Sequence, residues 1–279
     1  MRIDAHQHFW KYSLQEYPWI TEPLSVLKVD RLPADLKPLL DRHNIDGCIA
    51  VQARQSLVET DWLLQLANNH GFIKGVVGWV DLRSTEIHHQ LRQYSSNKKF
   101  VGVRHVVQDE PDAQFMLGKE FQRGIAALAD FDLVYDILIY PHQLPSALAL
   151  VQQFPNQRFV IDHTAKPRIK NSEFDEWSRH MAALGGYENV WCKVSGLVTE
   201  ADWARWTPKD MEPYLEHVFS EFAEDKLIYG SDWPVSTLAA DYARAFDLVD
   251  DFLKNHSENA RKRFFGQNAV EFYRLDEKS

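Results

Sequence analysis

Eight short apolar runs recur along the chain, and they constrain the fold more than any other feature. Such near-continuous apolar runs are typical of parallel strands that are covered on both faces. Stretches with helical patterning separate them, and eight strands alternating with helices over about 250 residues predict a (β/α)8 TIM barrel, an α/β fold. The predicted strands begin at Arg2, Asp46, Lys74, Phe100, Leu133, Arg158, Asn189 and Lys226.

A doubly wound open sheet is the alternative architecture. No G-x-G-x-x-G follows a strand and no G-x-x-x-x-G-K-[ST] occurs, so its nucleotide-binding versions lose support. No linker or shift in composition divides the chain, which predicts one domain over residues 1–279. The longest break between elements, Lys11 to Arg31, is rich in Trp, Tyr and Pro. We expect it to form an ordered loop over the active-site rim.

Charge and cysteine content restrict the partners. A formal net charge of −9 argues against nucleic acid or an anionic membrane surface. Cys48 and Cys192 lie in apolar runs and predict buried free thiols, as in a reducing compartment. No signal segment precedes "MRIDAH" and no apolar run approaches a membrane span. We therefore expect a cytoplasmic protein that acts on a small molecule, and a homo-oligomer is compatible with the sequence.

The first predicted strand carries two histidines, two residues apart. Side chains alternate along a strand, so His6 and His8 are expected to share one face with Asp4, while Ile3 and Ala5 share the other. Two imidazoles side by side can ligate one metal ion or hold one small substrate. Which of these applies depends on the residues that reach them.

Polar residues also stand at the ends of later predicted strands. Barrel enzymes keep their active sites at the rim formed by the C-terminal strand ends, so these side chains are expected to share one pocket. Together they would supply a carboxylate, at least three imidazoles and a guanidinium. The candidates are His6, His8, Arg104, His105, Asp162, His163, Lys166, Lys193, Ser195 and Asp232.

Structural roles are the alternatives for these residues. A lone strand histidine is commonly a satisfied structural group. Arg104 could form a structural ion pair with Asp162, and Asp232 could cap a helix or form a barrel salt bridge. Trp10 and Trp233 follow site residues closely, which suits stacking on the apolar face of a sugar as well as plain packing.

The motifs "DAHQHFW", "PWI", "VGVRHVVQDEPD", "VIDHTAKP", "CKVSGL" and "YGSDWPV" resemble the amidohydrolase superfamily. The resemblance runs over the whole chain and is nearest to the lactonase-like branch. That branch includes L-fuconolactonases, L-rhamnono-lactonases and 2-pyrone-4,6-dicarboxylate lactonases. H-x-H alone is weak, but the ordered set of four motifs ending in G-S-D-W-P is specific.

This resemblance implies a barrel that hydrolyses a small cyclic ester. Asp232 would act as the general base toward water, while cations and imidazoles polarise the lactone carbonyl. One departure is visible, because Ala165 stands where the family motif usually has glycine before its lysine. The residues carried over as catalytic groups are His6, His8, Arg104, His163 and Asp232. From their positions beside these residues, we predict Lys166, His105, Trp10 and Trp233 as substrate-binding groups.

The metal requirement follows from the same motifs. Two-metal members of the superfamily use a lysine on strand four or a histidine on strand five, and "VGVRHVV" and "LVYDILI" contain neither. His142, beyond strand five, is an uncertain substitute. One zinc held by His6, His8 and Asp232 stays geometrically open. Arg104 would repel a dication and supply the same stabilisation, so we predict activity without a required metal.

The predicted function is hydrolysis of a sugar lactone such as L-fucono- or L-rhamnono-lactone. A metal-dependent decarboxylase of the same superfamily and a non-catalytic sugar-acid-binding barrel are the alternatives. A glycosidase would need two carboxylates flanking its substrate. Strand alternation places Asp162 opposite His163, which leaves Asp232 without a second carboxylate in the pocket.

Overall fold

The eight predicted strands form one parallel sheet. The computed structural model describes residues 1–275, and neighbouring strands pair in the order β1 to β8. Each strand run predicted from the sequence is present, so the barrel prediction is confirmed. The strands are β1 Ile3–Gln7, β2 Gly47–Val51, β3 Ile73–Gly78, β4 Phe100–His105, β5 Val134–Ile137, β6 Phe159–Ile161, β7 Val190–Val194 and β8 Leu227–Tyr229.

A helix follows each strand. The crossover helices are α1 Pro33–Arg42, α2 Leu57–Asn69, α3 Ile87–Ser95, α4 Lys119–Leu128, α5 Leu144–Gln153, α6 Asp175–Gly185, α7 Pro208–Glu221 and α8 Tyr242–Phe252. The chain then continues through α9 Glu258–Lys262, a π-helical turn Arg263–Gln267 and α10 Asn268–Tyr273.

Apolar side chains fill both sides of the sheet. A large buried cluster lies between the strands and the outer helices. A second cluster inside the barrel joins Ile3, Val134 and Ile228, near the starts of their strands, to Phe272 and Tyr273 of α10. The C-terminal helix therefore plugs the N-terminal end of the barrel, which leaves the opposite end for a binding site.

The barrel closes where β1 meets the segment after β8. Gln7 and Trp233 form an isolated parallel bridge. The His8 N–H donates to the Trp233 carbonyl oxygen at 2.7 Å, and the Asp232 N–H donates to the His6 carbonyl oxygen at 2.8 Å. This closure brings the two histidines at the start of the sequence beside an aspartate more than two hundred residues away.

A bulge in β1 changes the predicted alternation. Asp4 pairs with Cys48 and Gln7 with Ala50, so β1 advances three residues where β2 advances two. Asp4 accepts a hydrogen bond from the Tyr242 hydroxyl of α8 at 3.1 Å and therefore points outward. The prediction that Asp4 shares a face with His6 and His8 is wrong, because the extra residue returns both histidines to the barrel interior.

The chain makes a left-handed turn directly after β6. The φ angles of His163, Thr164, Ala165 and Lys166 are 52°, 50°, 57° and 50°. Left-handed backbone costs about 1–2 kcal/mol per non-glycine residue. The Trp177 indole on α6 supports the turn by donating to the Thr164 carbonyl oxygen at 2.7 Å. Ala165 thus occupies a conformation that favours the glycine usual at this position in the family.

The loop Lys11 to Arg31 is ordered. An antiparallel bridge joins Trp10 to Arg31, and a 3-10 helix spans Glu22–Leu27. Trp10, Tyr17, Ile20 and Leu27 form a separate buried cluster beneath the loop. Its apolar residues therefore hold the loop down on the barrel.

The structure also tests what was expected of the two cysteines and of a membrane span. Cys48 and Cys192 are buried and free, so the prediction of buried free thiols is confirmed. No helix within residues 1–275 has both the length and the apolar character that a membrane span requires.

Candidate active site

A cavity of about 740 Å³ opens at the C-terminal ends of the strands. The loop Lys11 to Arg31 contributes part of its wall through Gln15, Glu16, Pro18, Trp19 and Leu24. The predicted site residues that line it are His8, Arg104, His163, Lys166 and Asp232. His6 lies fully buried behind them, with its ring centroid 5.0 Å from that of His8 and 4.3 Å from that of His163.

Asp232 is the carboxylate of this constellation. Its Oδ1 lies 3.5 Å from Nε2 of His8 and 3.8 Å from Nε2 of His163. Burial works to raise the pKa of Asp232, but His163, His8 and the Lys166 ammonium outweigh it and lower that pKa below its ordinary value. The group is therefore ionised at neutral pH.

Hydrogen bonds behind the two imidazoles fix their orientation. Nδ1 of His8 is 2.8 Å from the Val51 carbonyl oxygen, which can only accept, so Nδ1 carries the proton. Nε2 of the same ring faces Oδ1 of Asp232. Nδ1 of His163 lies 3.0 Å from the Ser195 hydroxyl oxygen. Burial lowers the pKa of His163 well below its ordinary value, which keeps this imidazole neutral.

Gly196 makes room for this arrangement. Its φ is +63°, and a Cβ at this position would lie 2.6 Å from Nδ1 of His163 and 2.9 Å from Oδ2 of Asp232. The position therefore requires glycine for its backbone angle and for the close approach of two site residues.

A layer of four buried charges forms the floor. The layer consists of Arg104 on β4, Asp136 on β5, Lys193 on β7 and Asp162, which follows the last residue of β6. The guanidinium Nη1 donates to Oδ2 of Asp162 at 3.0 Å. The Lys193 ammonium lies 3.0 Å from Oδ1 of Asp162 and also contacts Asp136 closely. Two cations face two carboxylates, so the layer is neutral.

The two floor carboxylates differ in acidity. Burial raises the pKa of Asp136 to about 6, although Lys193 opposes this effect. Burial also acts to raise the pKa of Asp162, but Lys193, His6 and Arg104 surround it and hold that pKa well below its usual value. The predicted Arg104–Asp162 ion pair is present, and Arg104 still reaches the cavity.

His6 joins the floor to the cavity. Its Nε2 lies 3.2 Å from Nη1 of Arg104, which can only donate. Nε2 therefore accepts from Arg104, while Nδ1 lies 3.3 Å from Oδ1 of Asp162 and 3.2 Å from the Lys193 ammonium. Burial lowers the pKa of His6 well below its ordinary value, so the ring is neutral.

The donor set fits one divalent metal ion. Ligand atoms of His6, His8 and Asp232 all lie within 4.8 Å of one another. Two imidazole nitrogens and one carboxylate oxygen, with water as a fourth ligand, are a familiar zinc arrangement. Nε2 of His8, the ring nitrogen that faces Asp232, is placed to be one of these ligands.

The structure corrects the predicted position of Asp162. Strand alternation placed it opposite His163, but β6 ends at Ile161, before both residues. The positive φ of His163 turns its side chain inward toward Asp232, while Asp162 continues the strand alternation and also points inward. Both residues therefore belong to the site, one in the floor and one at the cavity.

Neither of the two predicted aromatic platforms lines the cavity. Trp10 is fully buried, and its indole donates to the Val29 carbonyl oxygen at 2.8 Å. Trp233 is 3% exposed and packs edge-on against Phe9. Both rings serve the packing around the β1–β8 junction, so their predicted contact with substrate is corrected.

The predicted contact of His105 with substrate is corrected for a different reason. Arg104 points into the barrel, and alternation turns His105 outward to stack on Phe115 with ring centroids 4.9 Å apart. Its Nε2 lies 2.6 Å from Oε1 of Glu110, which itself lines the cavity. His105 therefore supports the wall from behind and does not line it.

Several cavity residues escaped the sequence reasoning. Trp19, Tyr140 and Trp203 supply the aromatic wall that Trp10 and Trp233 do not. Glu200 reaches the cavity from the 3-10 helix after β7. Asp136 could have been found as the lone charge within the buried run "LVYDILI". Trp19 stands in the motif "PWI", whereas Tyr140, Glu200 and Trp203 lie after strands in segments without periodicity, where no pattern distinguishes them.

The fold is a (β/α)8 barrel, and an aspartate, imidazoles and an arginine meet in a cavity at its C-terminal rim, as expected of a barrel enzyme. Residues 3–275 match the family model described as amidohydrolase. The chain belongs to the amidohydrolase family, and the resemblance found in its motifs is confirmed.

Named relatives match most or all of the chain. An L-fucono-1,5-lactonase of Burkholderia ambifaria is 39% identical over 289 residues, which include 100% of this chain and 97% of that protein. A crystal structure of an amidohydrolase from Burkholderia multivorans with bound zinc superposes with a TM-score of 0.94 at 38% identity, covering 99% of each chain. An L-rhamnono-gamma-lactonase of Scheffersomyces stipitis is 22% identical, covering 62% of this chain and 59% of its own length.

We expect Gly196→Ala to lower kcat/KM by about 10²-fold, because the added methyl would displace His163 and Asp232 from each other. Steady-state kinetics on a purified, folded variant would measure the loss. Gly71→Ala is the matched control, since its new Cβ meets no atom within 4 Å. Normal turnover by folded Gly196→Ala would contradict the assigned geometry.

We expect Lys193→Met to lower the free energy of unfolding by about 3–5 kcal/mol, because two buried carboxylates lose their shared cation. Urea unfolding at neutral pH would measure the change. Adding Asp136→Asn should recover part of the loss. Lys209→Met, at an exposed position of α7, is the control. A Lys193→Met variant as stable as the wild type would show that the charge layer is unimportant.

Proposed function

We propose that the protein hydrolyses a small sugar lactone to its aldonic acid, with L-fucono-1,5-lactone as the first substrate to test. The ionised carboxylate of Asp232, set between the imidazoles of His8 and His163 in an open cavity, carries the proposal. The identity of 39% to an L-fucono-1,5-lactonase over the whole chain supports the choice of lactone.

Asp232 acts as the general base. Its carboxylate takes a proton from a water molecule as the water oxygen attacks the lactone carbonyl carbon. The lowered pKa of Asp232 keeps it ionised and ready to accept that proton at neutral pH. Nε2 of His8 lies 3.5 Å from Oδ1 of this carboxylate, and Nε2 of His163 lies 3.8 Å from the same oxygen.

The oxyanion of the tetrahedral intermediate requires positive charge or hydrogen-bond donors. Arg104 supplies a permanent charge at the cavity, held in place by Asp162 and His6. His163 supplies a donor, because a Ser195 hydroxyl that donates to Nδ1 leaves the proton on Nε2. Each such donor is worth roughly 3 kcal/mol at an oxyanion.

Collapse of the intermediate breaks the bond between the carbonyl carbon and the ring oxygen. The departing alkoxide takes a proton from His163, and the proton held by Asp232 replaces it. Water has then been added across the ester bond, and the new acid ionises in solution. An alkoxide is a better leaving group than an amide nitrogen, which favours a lactone over an amide.

We infer that turnover does not require a metal. His6, His8 and Asp232 would hold a divalent ion, which would supply Lewis-acid polarisation of the carbonyl when bound. The guanidinium of Arg104 lies 3.2 Å from Nε2 of His6, so it competes for a ligand atom and repels a dication. Its charge already provides the stabilisation that a metal would offer.

Location and assembly stay predictions. We predict a cytoplasmic enzyme of carbohydrate catabolism. Its two buried free thiols agree with the reducing compartment that this location implies. A homo-oligomer is compatible with this function.

We expect Asp232→Asn to fold and to lower kcat on L-fucono-1,5-lactone by at least about 10²-fold, as the loss of a general base does. A pH indicator would follow acid release from the lactone. Asp251→Asn, the same change at an exposed position of α8, is the control. Near-normal turnover by Asp232→Asn would remove the mechanism, and carbon dioxide release from an aromatic acid by the wild type would favour the decarboxylase alternative.

We expect activity to survive exhaustive chelation within about twofold, because Arg104 supplies the required charge. Metal content by elemental analysis and the melting temperature would show that the treated protein is metal-free and folded. A folded, metal-free protein that is inactive and regains turnover with one equivalent of zinc would reverse this inference.

A further inference from the structure

The cavity carries an excess of negative charge. Of the residues that line it, five are carboxylic acids and three are permanent cations. The imidazole of His163 is neutral and does not offset the difference. The acids are Glu16, Asp109, Glu110, Glu200 and Asp232, and the cations are Arg54, Arg104 and Lys166.

Each of these cations already has a carboxylate partner. Arg54 pairs closely with Glu16, and Arg104 donates to Asp162 at 3.0 Å. Nζ of Lys166 lies 3.9 Å from Oε1 of Glu200. A ligand with its own carboxylate would have to displace one of these partners. The cavity therefore favours neutral ligands over anionic ones.

Glu200 is a largely buried acid of this cavity, and the aromatic residue Trp203 lies close to it in the chain. Its side chain is 18% exposed, and that of Lys166 is 17% exposed. The Trp203 indole donates to the Thr199 carbonyl oxygen at 2.8 Å, which pins this ring beside Glu200. The ring remains 38% exposed.

A carboxylate next to an open aromatic face suits a hydroxylated ring. An ionised carboxylate only accepts hydrogen bonds, and sugar hydroxyls can donate to it in short, charge-assisted bonds. The aromatic face can cover the C–H side of the same ring. Glu200 and Asp232 line the same cavity, so Glu200 can bind the hydroxyls while Asp232 acts on the carbonyl.

We propose that Glu200 is a selectivity residue, which binds the hydroxyls of a neutral lactone and disfavours the carboxylate that the reaction produces. This inference rests on the proposed function. Hydrolysis adds one water to the ring ester and yields an acid, which loses a proton to solvent at neutral pH. The ligand thus changes from neutral to anionic within the cavity, and the charge of Glu200 assists its release.

The test compares a neutral and an anionic competitor of the same sugar. 1,5-Anhydro-L-fucitol is a neutral hydroxylated ring, and L-fuconate is the carboxylate product. Competitive inhibition constants for both are measured with L-fucono-1,5-lactone as substrate, for the wild type and for Glu200→Gln. The glutamine retains the shape of the side chain and removes its charge, which also frees Lys166 to attract an anion.

We expect Glu200→Gln to bind L-fuconate about tenfold more tightly, equivalent to about 1.4 kcal/mol, and the neutral ring more weakly than the wild type does. Glu212→Gln, at an exposed position of α7, removes the same charge outside the cavity and should change neither constant. An unchanged ratio of the two constants in an active Glu200→Gln variant would overturn the inference. A wild type without lactone turnover would instead overturn the proposed function.

Discussion

The junction between the first and last strands is the constraint on which the site depends. Two backbone hydrogen bonds, from His8 to Trp233 and from Asp232 to His6, close the barrel and at the same time set two imidazoles against the aspartate. The bulge in β1 is part of the same device, because it returns His6 and His8 to the interior after Asp4 has turned outward. The hydrogen bonds that close the barrel therefore also bring the site residues together.

Opposite charges balance one another in the buried floor of the site. The floor joins Arg104 and Lys193 to two buried carboxylates, so it carries no net charge into the barrel. A neutral floor leaves Asp232 to define the charge at the reacting end of the cavity. Arg104 forms an ion pair in this floor and also reaches the cavity. In the proposed mechanism it would therefore place a fixed positive charge near the oxyanion as well as stabilise the floor.

The sequence predicted the features that follow from pattern. Eight apolar runs predicted the barrel, and polar residues at strand ends identified His8, His163 and Asp232. Features that depend on departures from regular geometry were missed. The bulge misplaced Asp4, the left-handed turn misplaced Asp162 relative to His163, and chain position alone suggested a role for Trp10 that its burial forbids. Glu200 lies on a loop, where only three-dimensional proximity reveals it.

The proposed mechanism requires a lactone to bind with its carbonyl carbon at the aspartate of the β1–β8 junction. A crystal structure of Asp232→Asn soaked with L-fucono-1,5-lactone tests this most directly. We expect an intact ring with its carbonyl carbon within about 4 Å of the residue 232 side chain, which leaves space for the attacking water. A lactone bound at the outer rim beside Arg54, with no part of it at the junction, would contradict the mechanism.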